Sequence, residues 1–217
     1  MARTRSGLYI NVTWLARLMS ADTTCQWQIW FKTHYDYSRR PSDYNLVAWI
    51  ADHTRMVNEF ARGRLALGEK CFTETQNGFR VRRKSGLVIA GKPDLITVDG
   101  KDHYAVYDCK TGKPKNSDVM QIMLYMFLLP QCPLCSGRQL EGHLIYKSDQ
   151  KQDIPNRAID TTFSNNISYF LELLEQSDPP PKTPHPYECR FCDITTDDCP
   201  DRLELTSPEA DLPEISF

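Results

Sequence analysis

The spacing of hydrophobic and polar positions changes period several times along the chain, and each change marks an element. Between residues 9 and 37, "WLARLMS" and "CQWQIWFKTHY" carry apolar and aromatic residues at mixed helical spacing. This predicts two short helices, with Cys25 near the start of the second. After the polar break "SRRPSDYN", a helical period runs from about Leu46 to Leu67 and stops at Gly68, a residue suited to a helix C-cap. Alternation then takes over. "CFTETQ", "FRVRR" and the apolar "LVIAG" read as successive strands of a meander, separated by "NG" and "KSG" turns, with Glu74 on a strand. "DLITVDGKDHYAVYDCK" continues as two strands joined by a turn at Asp99 to Lys101. A helix from about Ser117 to Leu129 is ended by Pro130. A strand near "GHLIYKS" and a long helix in "TFSNNISYFLELLEQ" complete the regular part. Proline-rich extended chain then leads into a cysteine cluster, and an acidic tail follows from about Thr206.

With 217 residues and 41% apolar content, the chain can bury one substantial core. A formal net charge of −2 gives no case for a broadly basic nucleic-acid binder, so any such contact needs a local patch. The N-terminus lacks the apolar core of a secretory signal and no stretch reaches membrane-spanning length, which points to the cytoplasm and to no membrane partner. In a reducing compartment, eight cysteines suggest metal rather than disulfides.

Two constellations carry candidate chemistry. In "YDCKTGKPKNSDVMQIMLY", strand alternation sends Asp108 and Lys110 to one face and Cys109 to the other. Together with Asp94 they are the components of a site for a hard divalent cation such as Mg2+ or Mn2+, which prefers oxygen ligands. His53 could complete the shell, with Glu59, Glu69 and Glu74 as substitutes. Gln121 and Tyr125, four apart on a helix, share a face. The plainer alternative is a turn carboxylate, a surface ion pair and ordinary helix polarity. The second constellation is "CRFCDITTDDC", a C-x2-C-x6-C spacing that asks for a fourth ligand, for which Cys25 is the candidate. Its rival is a zinc site that pairs Cys132 and Cys135 with Cys189 and Cys192. Cys71 and Cys109, on predicted strands, read as buried small hydrophobes.

The order of "GKPD", hairpin, "DCK" and then a helix with Gln121 and Tyr125 resembles the PD-(D/E)XK superfamily in its RecB-like branch. Gly91 to Asp94 resemble its G-x-x-D motif, Asp108 to Lys110 its (D/E)-x-K, and Gln121 with Tyr125 its Q-x-x-x-Y. One N-terminal and three C-terminal cysteines around such a core are similar to the iron-sulfur nucleases of the AddB and CRISPR-associated Cas-four type. The last gap here is six residues, where that family often has five.

The resemblance implies an α/β fold: a restriction-endonuclease-like mixed β-sheet flanked by helices, with both chain ends joined by a [4Fe-4S] cluster on Cys25, Cys189, Cys192 and Cys199. It implies a single domain over 1–205, in which 1–45 and 180–205 form the cluster-binding cap and 46–179 the nuclease core. Residues 206–217 would be a flexible tail. It further implies metal binding by His53, Asp94, Asp108 and the Cys109 carbonyl, a catalytic role for Lys110, and positioning by Gln121 and Tyr125. The expected activity is DNA hydrolysis, exonucleolytic and on single-stranded ends, with CRISPR-adaptation or recombination and repair proteins as partners. A catalytically silent nucleic-acid-binding or scaffold protein is the alternative.

Arg82, Arg83, Lys113 and Lys115 are the candidate DNA contacts, in a local basic set that also includes Arg80, Lys84, Arg62 and Arg64. Trp27, Trp30, Phe31, Tyr35 and Tyr37 read as an amphipathic face packed on the core, with base stacking as the alternative. There is no G-x-x-x-x-G-K-[ST] stretch, so unwinding would need other proteins.

Overall fold

The computed structural model describes residues 2–41 and 45–204. The predicted acidic tail lies outside the described residues. In chain order the elements are β1 (Arg3–Thr4), β2 (Tyr9–Asn11), α1 (Val12–Met19), α2 (Gln26–His34), β3 (Tyr35–Asp36) and α3 (Leu46–Ala66). Then come β4 (Lys70–Thr73), α4 (Glu74–Asn77), β5 (Phe79–Arg82), β6 (Val88–Gly91), β7 (Leu95–Val98), β8 (Tyr104–Lys110) and α5 (Asn116–Leu128). The last are β9 (Leu140–Tyr146), β10 (Lys151–Ile154), α6 (Thr161–Glu175) and α7 (Pro186–Phe191).

A five-stranded sheet in the order β10-β9-β8-β7-β4 forms the centre, antiparallel except for the parallel pair β8 and β9. Its central strands β7 and β8 are mostly buried, as strands covered on both faces are. α5 packs on one face and α3 on the other. A three-stranded sheet, β2-β6-β5, stands beside it and is also mixed. The fold is therefore mixed α/β, with sheets flanked by helices.

Local chemistry sets the element ends. Asn11, Asn45 and Asp160 accept backbone N–H bonds at the starts of α1, α3 and α6. Gly68 follows α3 with φ 82°, the left-handed conformation expected of a glycine there. Pro130 falls in a single 3-10 turn that closes α5.

The predicted meander is not what forms. The strands between residues 70 and 98 divide between two sheets: β4 pairs with β7, while β5 pairs with β6 and β6 with the N-terminal β2. Alternation along each strand cannot reveal this choice of partners. Glu74 also begins the short helix α4 rather than continuing a strand, because Thr73 and Gln76 close a capping box across that turn.

The aromatic face of α2 packs inward. Trp27, Trp30 and Phe31 are buried in the main core, and the Trp30 indole N–H donates to the Gln176 carbonyl at 2.8 Å. Tyr35 and Tyr37 are partly buried against the same core. Tertiary burial thus takes up the aromatics that base stacking would need exposed.

α5 lies on β9 at Gly142. A Cβ there would sit 2.5 Å from both Ile122 Cγ2 and Met126 Sδ. The glycine is what lets the helix that carries Gln121 and Tyr125 approach the sheet. Among the described residues, no helix is long and apolar enough to cross a membrane.

Gly142→Val is expected to lower unfolding free energy by about 1–3 kcal/mol, the usual range for overpacking a filled core. Urea denaturation with the wild-type slope would check it. A variant as stable as wild type would mean that α5 can shift at no cost.

Candidate active site

β6 leaves the small sheet at Gly91 and re-enters the large one as β7 after only three residues, so Asp94 stands where the two sheets meet. The glycine is required by close packing: a Cβ at Gly91 would lie 2.6 Å from the Phe79 ring and 2.9 Å from Tyr125 Cε1. Asp94 Oδ2 accepts the Cys109 N–H at 2.6 Å, which ties the turn to the end of β8. His53, on α3, brings Nε2 to 3.2 Å from the same Asp94 oxygen and 3.1 Å from the Cys109 carbonyl. The Trp49 ring stacks on His53, and its N–H donates to Thr111 Oγ1.

On the α5 side of β8, Asp108 Oδ2 and Lys110 Nζ are 2.6 Å apart. Lys110 donates to Gln121 Oε1 at 3.0 Å, and Gln121 Nε2 donates in turn to Asp108 Oδ1 at 3.1 Å and to the Tyr125 hydroxyl at 3.0 Å. Asp118, one turn before Gln121, adds a second carboxylate 3.6 Å from Lys110 Nζ. These groups line a cavity of about 750 Å³ with Asn11, Thr13, Trp49, Lys92, Lys113 and Lys115.

Asp108 is 3% exposed. Burial is the main reason its carboxyl titrates high, at about 6, against the opposing pull of Lys110, while Asp94 and Asp118 push the same way as burial. Burial works against the Lys110 charge too. Asp108, Asp118 and Asp94 outweigh it, so the ammonium is held above its ordinary value. Burial likewise pushes the Tyr125 hydroxyl and the Cys109 thiol up, and both stay protonated.

The donors suit a hard cation. Asp108 Oδ2 is ion-paired with Lys110 but accepts no well-aligned hydrogen bond, and buried carboxylate charge of this kind calls for a further positive partner. His53 Nε2 lies within hydrogen-bond distance of both Asp94 Oδ2 and the Cys109 carbonyl. No group of three His, Cys, Asp or Glu side chains among the described residues is spaced to hold a metal by side chains alone. Around Asp94 the backbone carbonyl is the extra oxygen.

The profile of the PD-(D/E)XK nuclease superfamily matches residues 15–196. The chain belongs to the PD-(D/E)XK nuclease superfamily. Its fold is also similar to the crystal structure of SSO0001, with a TM-score of 0.52 at 18% identity over 93% of this chain and 90% of that one. That likeness speaks for the fold alone. A search of curated proteins gives no match. Membership makes metal-dependent nuclease chemistry the expected activity class, and superfamily members generally use Mg2+ or Mn2+.

Other expected residues fall elsewhere in this superfamily member. Arg82 donates to the Gly86 carbonyl in its own hairpin, and Arg83 ion-pairs with Glu175 at 3.2 Å, so neither lines the cavity. Glu59 is exposed, and Glu69 is held by Arg64, which removes both as substitutes for His53. Cys109 is buried on β8, while Cys71 on β4 is only half-buried. The sequence reading missed Asp118, although it shares the helix face of Gln121 and Tyr125 at i, i+3 and i+7. Asn11 and Thr13 had no signal, since only the β2–β6 pairing brings the N-terminus here.

Cys25, Cys189, Cys192 and Cys199 line a second, mostly apolar cavity of about 20 Å³ with Trp27 and Ile194. All eight cysteines are free thiols. The four surround the cavity without closing on one point, so a four-iron cluster would require their loops to spread. Their softness fits such a group. Cys132 and Cys135 are buried in the core at the end of α5 and are absent from this cavity, which separates the two pairs of the zinc alternative.

His53→Ala is expected to weaken Mn2+ binding at least the roughly tenfold typical of losing even an outer-shell partner, whereas Glu59→Ala should leave it unchanged. Calorimetric titration of metal-free protein reads both. Equal effects would remove His53 from the site.

Proposed function

We propose that this protein is a Mg2+- or Mn2+-dependent deoxyribonuclease of the RecB-like branch that digests single-stranded DNA from its ends. The observation that carries the reading is the pairing of Asp108 with Lys110, 2.6 Å apart, beside Asp94 and the Cys109 carbonyl in one cavity. Asp94, Asp108, the Cys109 carbonyl and His53 would hold the metal, which supplies Lewis-acid polarisation of the scissile phosphate.

Lys110 carries a positive charge beside that position and stabilises the negative charge that grows on the phosphate in the transition state. Gln121 orients both members of the pair through its two amide ends, and Tyr125 fixes Gln121. Lys92, Lys113 and Lys115 on the cavity wall favour a polyanion locally, despite the negative total charge. Trp49 at the cavity offers an aromatic surface suited to an unpaired base. The exonucleolytic mode rests on the resemblance of the three motifs to RecB-like enzymes.

A [4Fe-4S] cluster on Cys25, Cys189, Cys192 and Cys199 is part of the same proposal, with a structural role. Support comes from the shared cavity and from the soft thiol donors around it. Protein purified without oxygen should be brown and contain about four irons per chain, and Cys25→Ser should lose the colour. A colourless protein containing zinc would overturn the cluster.

Cleavage of end-labelled single- and double-stranded DNA with Mn2+ tests the activity. Asp108→Ala and Lys110→Ala should each reduce the rate by roughly 10²–10⁴-fold without loss of fold. A ladder shortening from one end is expected. Failure of the cluster-loaded wild type to cut any substrate would sink the reading.

A further inference from the structure

Asp118 is a buried carboxylate, 7% exposed, that no motif assigns. Its two oxygens are used differently. Oδ2 accepts the Lys115 N–H at 3.0 Å, which closes the first turn of α5, and also the Tyr146 hydroxyl at 3.1 Å. Oδ1 faces Lys110 Nζ at 3.6 Å, an ion-pair distance. A helix cap needs only one oxygen and no tyrosine.

Tyr146 reaches this point because of strand register. β8 and β9 run parallel with Lys110 opposite Tyr146, so both side chains leave the sheet on the α5 side. Tyr146 is 1% exposed, and burial together with Asp118 pushes its hydroxyl up, so it remains a donor. A lysine ammonium has three donors. Around Lys110 there are three oxygens: Asp108 Oδ2 at 2.6 Å, Gln121 Oε1 at 3.0 Å and Asp118 Oδ1 at 3.6 Å. Of these, Asp108 is the one that a metal would also claim. Asp118 is the carboxylate left to hold the ammonium when Asp108 is shared.

We infer that Asp118, locked by Tyr146, is a positioning residue that fixes the Lys110 ammonium beside the reacting phosphate. The placement itself is independent of the activity, while its catalytic consequence rests on the nuclease reading above.

The first test uses metal-free protein labelled with 15N-lysine. An ammonium hydrogen-bonded to Gln121 and ion-paired with two carboxylates is shielded from exchange with water, so wild type should show an Nζ–H cross-peak that Lys110→Ala removes and thereby assigns. Asp118→Asn, which keeps an oxygen for the helix cap, should abolish that peak, and Tyr146→Phe should broaden it. Asp52→Asn, which disturbs only exposed pairs with Arg55 and Lys147, should leave it intact. A wild-type protein without the peak, or a peak that survives Asp118→Asn, would overturn the placement.

The second test is kinetic. With Mn2+ and single-stranded DNA, Asp118→Asn should lower kcat by roughly 10–100-fold, the cost of misplacing a catalytic group by about 1 Å, with KM within about twofold and an unchanged circular dichroism spectrum. An unchanged kcat, or a loss seen only in KM, would overturn the catalytic consequence. If wild type cuts no DNA, the nuclease reading falls and the cross-peak still decides the placement.

Discussion

Burying Asp108 under α5, with Lys110 half-buried beside it, is the constraint around which the rest of this structure is arranged. Two charges removed from water cost several kcal/mol each unless they are paired and hydrogen-bonded. Every neighbour responds to that cost. Gln121 bridges the pair, Tyr125 holds Gln121, and Asp118 supplies a second anion to the same lysine. Small residues make the geometry attainable: Gly142 admits α5 to the sheet, and Gly91 leaves room for the Tyr125 ring. A site assembled in this way is rigid because its polar groups have few other partners to turn to.

The chain ends show the same physics away from the cavity. Lys32, with its side chain 5% exposed, pairs with Asp193 at 2.6 Å, and Tyr37 donates to the same carboxylate. The buried Arg202 guanidinium donates to the carbonyls of Cys189, Cys192 and Ile194, so the cysteine-bearing segment is pinned by backbone contacts. Ala2 N–H donates to Asp198 and Thr24 Oγ1 to Glu188, which joins the N-terminal segment directly to the cysteine-bearing one.

Helices and strands were legible wherever one face had a clear period. α3 with its terminal glycine, α5 ended near a proline, α6, and the strands around Asp108 all follow from local spacing and end chemistry. The errors over the meander and over Glu74 have different origins: alternation tells that a strand forms while its partner depends on surfaces brought together from far along the chain, whereas the local capping box of Thr73 and Gln76 draws Glu74 into a helix. The basic residues divide for a related reason. Lys113 and Lys115 follow β8 directly and reach the cavity, whereas Arg83 is answered by Glu175, ninety-two positions away along the chain.

By itself the sequence determined that Asp108 and Lys110 share a face, that Gln121 and Tyr125 share another, and that an acid ends the "GKPD" turn. Those statements need only the periods of strand and helix. Tertiary structure decided that the two faces meet, that His53 rather than Glu59 or Glu69 turns toward Asp94, and that Tyr146 and Asp118 close behind the lysine. Contacts of this kind depend on strand register and helix approach, which are set by packing over long separations, and no local pattern encodes them.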